Sequence, residues 1–170
     1  YKNKFIKVCE ASSRLGIEII VIPLVDNGSL ENYIQEEALV NYLIKCIPIL
    51  KKLNLKVAFE SDFEPKKLAI FINRFSSDRF GINYDTGNSA SLGFDPQEEF
   101  KEYGKNIINV HIKDRKLGGT TVPLNNGDVN FDLIFKGLKD LNYKGNFILQ
   151  TARDKDGRHS NIIKEYKEFL

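Results

Sequence analysis

Apolar positions along this chain change period in a regular way. Residues 1–16, "YKNKFIKVCEASSRLG", carry them at helical spacing, and the stretch closes on Gly16, a common helix-ending residue. "IEIIVIPLV" (17–25) is a β-branched run too short for a long helix, and the "DNG" that follows at 26–28 is a turn signal. A long helical pattern then runs from about Glu31 to Leu53. "KVAFES" (56–61) predicts a strand, and "EPKKLAIFINRF" (64–75) a helix with Pro65 in its first turn. "FGINYD" (80–85) is the next strand. "DPQEEFKEYG" (95–104) opens a helix, with Asp95 as N-cap, Pro96 at the first position and Glu98 reaching back as in a capping box. "NIINVHIKD" (106–114) predicts a strand followed by a long polar loop. The chain closes with a helix at 130–143, the strand "NFILQ" at 146–150 and a helix from Asn161.

Strand and helix therefore alternate through about five βα units, with no hairpin signal. That pattern predicts parallel strands joined by crossover helices. Five such units fit a doubly wound sheet or the later part of an eight-stranded barrel. No glycine-rich GxGxxG loop follows the first strand, which weighs against a dinucleotide-binding sheet. The 170 residues suit one domain or part of a larger one. The first helix starts without a cap and the chain holds no methionine, so further sequence is expected upstream. Five strands of a barrel taken alone leave two open parallel edges, and residues 1–170 in isolation are expected to be poorly stable.

The strand ends carry the candidate chemistry. Glu60 ends the second strand, Asp85 the third, His111 lies near the end of the fourth, and Gln150 ends the fifth. Active sites lie at the carboxyl ends of strands in both βα architectures. Alternation adds to this, because residues two apart share a face. Ala58 goes with Glu60, Asn83 and Gly81 with Asp85, Asn109 and Lys113 with His111, and Ile148 with Gln150; Val57, Phe59, Ile82, Tyr84, Phe147 and Leu149 take the other side. A sheet covered by helices on both faces would not accept that inner polarity, whereas the mouth of a barrel would. A single strand-end carboxylate is commonly a solvated cap. Glu60, Asp85 and His111 in phase instead make a mixed oxygen and nitrogen ligand set, suited to manganese, magnesium, cobalt or zinc.

Composition narrows the setting. Lysine and arginine total 25 against 23 acids, a formal charge of +2, which is too balanced to predict a nucleic-acid or membrane-surface partner. With 42% hydrophobic residues there is material for a core, yet no apolar run approaches a membrane span. Nothing resembles a signal peptide. Cys9 and Cys46 fall in predicted helices without metal-ligand spacing, which fits reduced packing residues in a cytoplasmic protein.

Taken together, "IVIPLVDNGSL" (20–30), "FES" (59–61), "YDTGN" (84–88), "GFDP" (93–96), "HIKD" (111–114) and "VNFDLIFKGLKDLNYKGNFIL" (129–149) resemble the xylose isomerase-like TIM-barrel superfamily. The nearest branch is the sugar phosphate isomerases and epimerases, including hexulose-phosphate isomerase-like proteins. The resemblance implies a (β/α)8 TIM barrel of which this chain covers the fourth to eighth strands. It also implies a divalent metal held by Glu60, Asp85, His111 and the eighth-strand residue. That last residue is usually a glutamate paired with the fifth-strand glutamate in acid/base work; here it is Gln150. The family's "PLGxG" loop is altered as well, to "PLNNG" at 123–127. The family reaction removes the proton next to a sugar carbonyl and passes through an enediolate. Glu60 would be the base. Gln150 can ligate or hydrogen-bond but cannot take a proton, which points to one-base isomerisation, to reprotonation through Lys113 or water, or to loss of catalysis.

Lys113 would neutralise the metal carboxylates, touch a substrate oxygen, or simply snorkel at the rim. Arg115 and Arg153 follow the strands whose loops bind phosphate in many barrels, and each is a candidate for a phosphate or acidic sugar. Asn88 is a candidate substrate contact or a satisfier of the turn after Asp85, with Gly87 supplying an unusual backbone angle. His159, between polar neighbours, is expected to be exposed. The function expected is a metal-dependent isomerase or epimerase of a small sugar or sugar phosphate, with homo-oligomerisation left open. The alternatives are a non-catalytic metal- or carbohydrate-binding barrel and an apurinic endonuclease-like enzyme. Two histidines and little net charge weigh against the last, which uses a histidine-rich zinc cluster.

Overall fold

The computed structural model describes residues 2–152 and 156–169. Five parallel strands follow one another in chain order: β1 (Ile19–Leu24), β2 (Lys56–Ser61), β3 (Phe80–Asp85), β4 (Ile107–Ile112) and β7 (Asn146–Leu149). Helices α1 (Lys2–Arg14), α2 (Tyr33–Lys52), α3 (Pro65–Asn73), α5 (Pro96–Tyr103), α6 (Phe131–Asp140) and α7 (His159–Phe169) alternate with them. This is the α/β succession of parallel strands and helices that the alternating periods predict. Two further features were not expected. One is a short helix, α4 (Thr86–Leu92); the other is a hairpin of β5 (Asp114–Arg115) with β6 (Thr121–Val122). No helix among the described residues is long and apolar enough to cross a membrane.

The chain falls into two compact units, residues 1–83 and 84–170. In the first, β1 lies parallel to β2 from Ile19 opposite Lys56 to Leu24 opposite Ser61, and β2 lies parallel to β3 with Ala58 opposite Gly81. Asn32 caps α2, its side chain accepting the Gln35 N–H at 3.0 Å, and Pro65 starts α3 where its missing N–H has no intrahelical use. Phe59, on the helix-facing side of β2, stacks on Phe75 at 5.2 Å and meets Phe71 edge-on at 5.1 Å. Burying each such ring contributes roughly 1.5–3 kcal/mol, enough to fix which face of β2 turns toward α3. Glu60 consequently lies on the opposite face. Cys9 and Cys46 are buried free thiols, and burial, helped by Cys46, pushes Cys9 up to about 11.

In the second unit β4 pairs with β7, His111 standing opposite Ile148. Tyr84 packs on Phe100 of α5 at 5.3 Å, and Phe147 meets Phe135 of α6 edge-on at 6.2 Å, so both rings take the helix side. Asp95 caps α5 by accepting the Gln97 N–H at 3.0 Å. Helix α4 escapes a periodicity test because its buried residues, Thr86, Gly87, Asn88 and Ser89, show no apolar stripe and little helix propensity. It forms because Asp85 caps its start and Gly93, at φ 75°, ends it. The predicted strand through Asp114 stops at Ile112, and the chain turns at Lys113 into the hairpin.

Candidate functional site

In the first unit Glu60 ends the inner face of β2, 7% exposed, and its Oε2 accepts a hydrogen bond from Asn83 Nδ2 at 2.9 Å. Asn83 is the residue that sequence reasoning placed on the inner face without giving it a role. Its position two before Asp85 was the available signal.

The second unit gathers the rest around Asp85, whose side chain is fully buried. Its Oδ1 accepts the Asn88 N–H at 2.8 Å, the capping bond of α4. Its Oδ2 lies 2.9 Å from Lys113 Nζ and 3.8 Å from His111 Nδ1. Among the described residues no donor meets Oδ2 in good hydrogen-bond geometry, so the nearby cationic groups act on it mainly through charge. Burial by itself pushes the Asp85 carboxyl up. The His111 imidazole, the Lys113 ammonium and the Asn88 N–H together outweigh it and leave the group below the usual carboxylate value.

Lys113 is held at both ends. Thr86 Oγ1 accepts its N–H at 2.9 Å and donates to its carbonyl at 2.5 Å, while Nζ donates to Gln150 Oε1 at 2.8 Å. Asp85, His111, Lys113 and Gln150 thus come together, with Gln150 on the exposed side. Gly87 does not provide the unusual backbone angle expected of it: it lies within α4 and is not among the glycines of positive φ. What it provides is room. A Cβ there would sit 2.9 Å from Lys113 Cγ and 3.1 Å from Arg115 Cγ.

Arg115 does not project freely into the site. Its Nη1 donates to Asn88 Oδ1 at 2.9 Å, and Nε and Nη2 both donate to the Gly119 carbonyl, at 3.0 and 2.6 Å. Asn88 is joined in this way to Asp85 through its backbone and to Arg115 through its side chain. Arg153 lies outside the described residues. His159 is exposed at the start of α7. A residue with no role in the sequence reading, Asp114, is fully buried and accepts the Gly127 and Val129 N–H groups at 2.8 and 3.3 Å. It folds the long polar loop back on itself. Gly127, the last residue of "PLNNG", has to be glycine because any Cβ would fall on the Asp114 carboxylate.

A buried carboxylate oxygen without an aligned donor, beside an imidazole nitrogen and near an amide oxygen, is a donor set that suits a divalent cation. The chemistry of this corner is therefore compatible with a metal.

Comparison with known proteins names the class that this fold and this corner define. The family model described as xylose isomerase-like TIM barrel matches residues 1–170, and the chain belongs to that family. It is 32% identical to the inosose dehydratase of Clostridium perfringens over 90 residues, which is 42% of this chain and 30% of that protein. Over 89 residues it is 32% identical to L-ribulose-5-phosphate 3-epimerase UlaE of Escherichia coli, 49% of this chain and 31% of the epimerase. The matched stretches span less than a third of either relative's length. Among solved structures, that of the IOLI protein with a binding zinc atom superposes with a TM-score of 0.81 at 18% identity, over 98% of this chain and 66% of that one.

Proposed function

We propose that this protein is a divalent-metal-dependent isomerase or epimerase that moves a proton on a sugar or sugar phosphate. Glu60, Asp85 and His111 each offer one ligand atom, a carboxylate oxygen or an imidazole nitrogen, and Gln150 adds a neutral amide oxygen. Support comes from the succession of these residues at parallel strand ends, from the buried Asp85 Oδ2, and from relatives named as an L-ribulose-5-phosphate 3-epimerase and an inosose dehydratase. A solved relative described with zinc supports the metal without deciding which one this protein takes. A cytoplasmic metabolic role follows from the same reading.

When bound, the metal polarises the substrate carbonyl and so acidifies the adjacent C–H. This chain's own residues do the remainder. Glu60 is the base that takes the proton, and the Asn83 amide holds its Oε2 in place. Lys113 keeps Asp85 ionised and presents an ammonium on the inner side, where it can hold or return a proton at a substrate oxygen. Gln150 orients Lys113 and accepts no proton of its own. The chemistry is accordingly one-sided, and it favours aldose–ketose isomerisation over epimerisation with two opposed bases. Arg115 acts on the loop through Gly119 and on Asn88, and Arg153 remains the candidate contact for a phosphate.

The observation that carries the reading is Asp85 Oδ2, buried and ionised between an imidazole and an ammonium. The test is Mn²⁺ stoichiometry of the wild type and of His111→Ala, together with solvent-deuterium exchange into a panel of sugars and sugar phosphates. Reduced stoichiometry in the variant and exchange in the wild type are expected. Metal bound with no exchange into any substrate would leave a non-catalytic binding barrel instead.

A further inference from the structure

Glu99 of α5 is a buried acid that the proposed reaction does not use; it is 2% exposed. Three hydroxyls satisfy it. Tyr84 OH and Ser89 Oγ donate to Oε2, at 2.9 and 2.5 Å, and Tyr103 OH donates to Oε1 at 2.5 Å. Burial raises the Glu99 carboxyl against the effect of these donors, so keeping an acid here is costly. An apolar side chain of the same size would fill the volume without that cost.

The division of donors between the two oxygens indicates what the acid is for. Tyr103 lies one turn along Glu99's own helix and connects it to nothing new. Tyr84 and Ser89 come from the corner where β3 turns into α4. Tyr84 immediately precedes Asp85, and Ser89 immediately follows Asn88, whose N–H binds Asp85 Oδ1. One carboxylate oxygen therefore grips the corner on both sides of Asp85. Because neighbouring strand residues point to opposite faces, it does so from behind, leaving the Asp85 side chain on the inner face.

We infer that Glu99 is a positioning residue that acts through Tyr84 and Ser89 to hold the Asp85 corner in place. The inference deepens the metal reading of Asp85 and rests on it. With the corner fixed, Asp85 Oδ2 keeps its place beside His111 and Lys113 while Oδ1 caps α4. With the corner loosened, the cap and the ligand geometry loosen together.

Single-hydroxyl deletions test this better than removal of Glu99, which would strand three buried hydroxyls and endanger folding. Tyr84→Phe, Ser89→Ala and Tyr103→Phe each delete one donor to the same carboxylate. In the full chain, hydrogen exchange at the Asn88 amide and the Mn²⁺ dissociation constant are measured alongside thermal unfolding. Tyr84→Phe and Ser89→Ala are expected to speed Asn88 exchange about fivefold and to weaken Mn²⁺ about tenfold. Tyr103→Phe is expected to leave both within about twofold while lowering thermal stability as much as the others do. Three variants acting alike on Asn88, or none acting, would overturn the inference. A wild type that binds no Mn²⁺ removes the metal reading on its own, and Asn88 exchange still decides whether Glu99 holds the corner.

Discussion

Lys113 Nζ lies 2.9 Å from Asp85 Oδ2, and the same ammonium donates to Gln150 Oε1 at 2.8 Å. The lysine's carbonyl and N–H are meanwhile anchored on Thr86, the residue after Asp85. One side chain thus ties the end of β3 to the residue that follows β7. The Asp85 side chain is fully buried and that of Lys113 is 12% exposed, so the pair is shielded from water. Removing the cation leaves a buried carboxylate without its main charge partner. Lys113→Met should cost about 3 kcal/mol of stability, read as a lower urea midpoint. On the proposed reading, added Mn²⁺ should narrow the gap by restoring positive charge near Asp85.

Gly87 makes that pairing sterically possible. The Cβ of Gly87→Ala would press on Lys113 Cγ, Arg115 Cγ and the Lys113 backbone at 2.9–3.2 Å. Alanine is the better helix former, so propensity alone predicts a gain of up to about 1 kcal/mol. Overpacking a filled site costs roughly 1–3 kcal/mol, and we expect it to win. A lower melting temperature with weakened Mn²⁺ binding is the expected result, and a stabilised variant would show that the lysine has room to move.

Asp114 organises the long loop through two backbone N–H groups. Asp114→Ala leaves the Gly127 and Val129 amides without their acceptor, at roughly 1–3 kcal/mol for each group that stays buried. Limited proteolysis should then cut within residues 116–130 at protease levels that spare the wild type, and amide exchange there should accelerate. Unchanged cleavage would mean that the ion pair of Lys116 with Asp128 and the Leu117 N–H bond to Asp128 hold the loop unaided.

The pH dependence of Glu99 runs opposite to that of an ordinary paired carboxylate. Burial raises its folded-state value, so the folded protein binds the proton more tightly than the unfolded chain does. Stability from this group is fully present below the unfolded value of about 4.3. It is lost as pH rises through the folded value. Glu99→Gln removes the titration. Urea denaturation across pH 4–7 should therefore show the variant gaining on the wild type as pH rises, until Glu99 is fully ionised. A constant difference across that range would contradict the raised value.

Gln150 is exposed and already accepts from Lys113. Gln150→Glu replaces a neutral acceptor by a charged one, with little effect on stability, about 0.5 kcal/mol either way. On the proposed reading it also supplies a second carboxylate able to take a proton. Solvent-deuterium exchange into a bound ketose should be preserved or raised, whereas Glu60→Gln should lower it by roughly 10²–10⁴. Metal content has to be measured in both variants, because each changes a proposed ligand.

Much of this molecule could be read from its residues in order. Period-2 runs alternating with period-3.6 runs forecast the parallel βα succession, because burying one face of each element imposes those spacings locally. Within each unit the same alternation put Glu60 on the face away from Phe59 and Asp85 on the face away from Tyr84, and the aromatic contacts with Phe71, Phe75 and Phe100 agree. Tertiary structure alone decided what those polar side chains do to one another. Helix α4 had no apolar stripe to announce it, because its buried face is polar and is satisfied by partners distant in sequence: Lys113 for Thr86 and Glu99 for Ser89. Arg115 could be placed after a strand, but its engagement with Gly119 and Asn88 depends on how the hairpin folds back. Gly87 looked like a turn residue and proved to be a gap for a lysine stem. Periodicity is a property of neighbours in the chain, whereas hydrogen-bond satisfaction and close approach are settled between residues that meet only after folding.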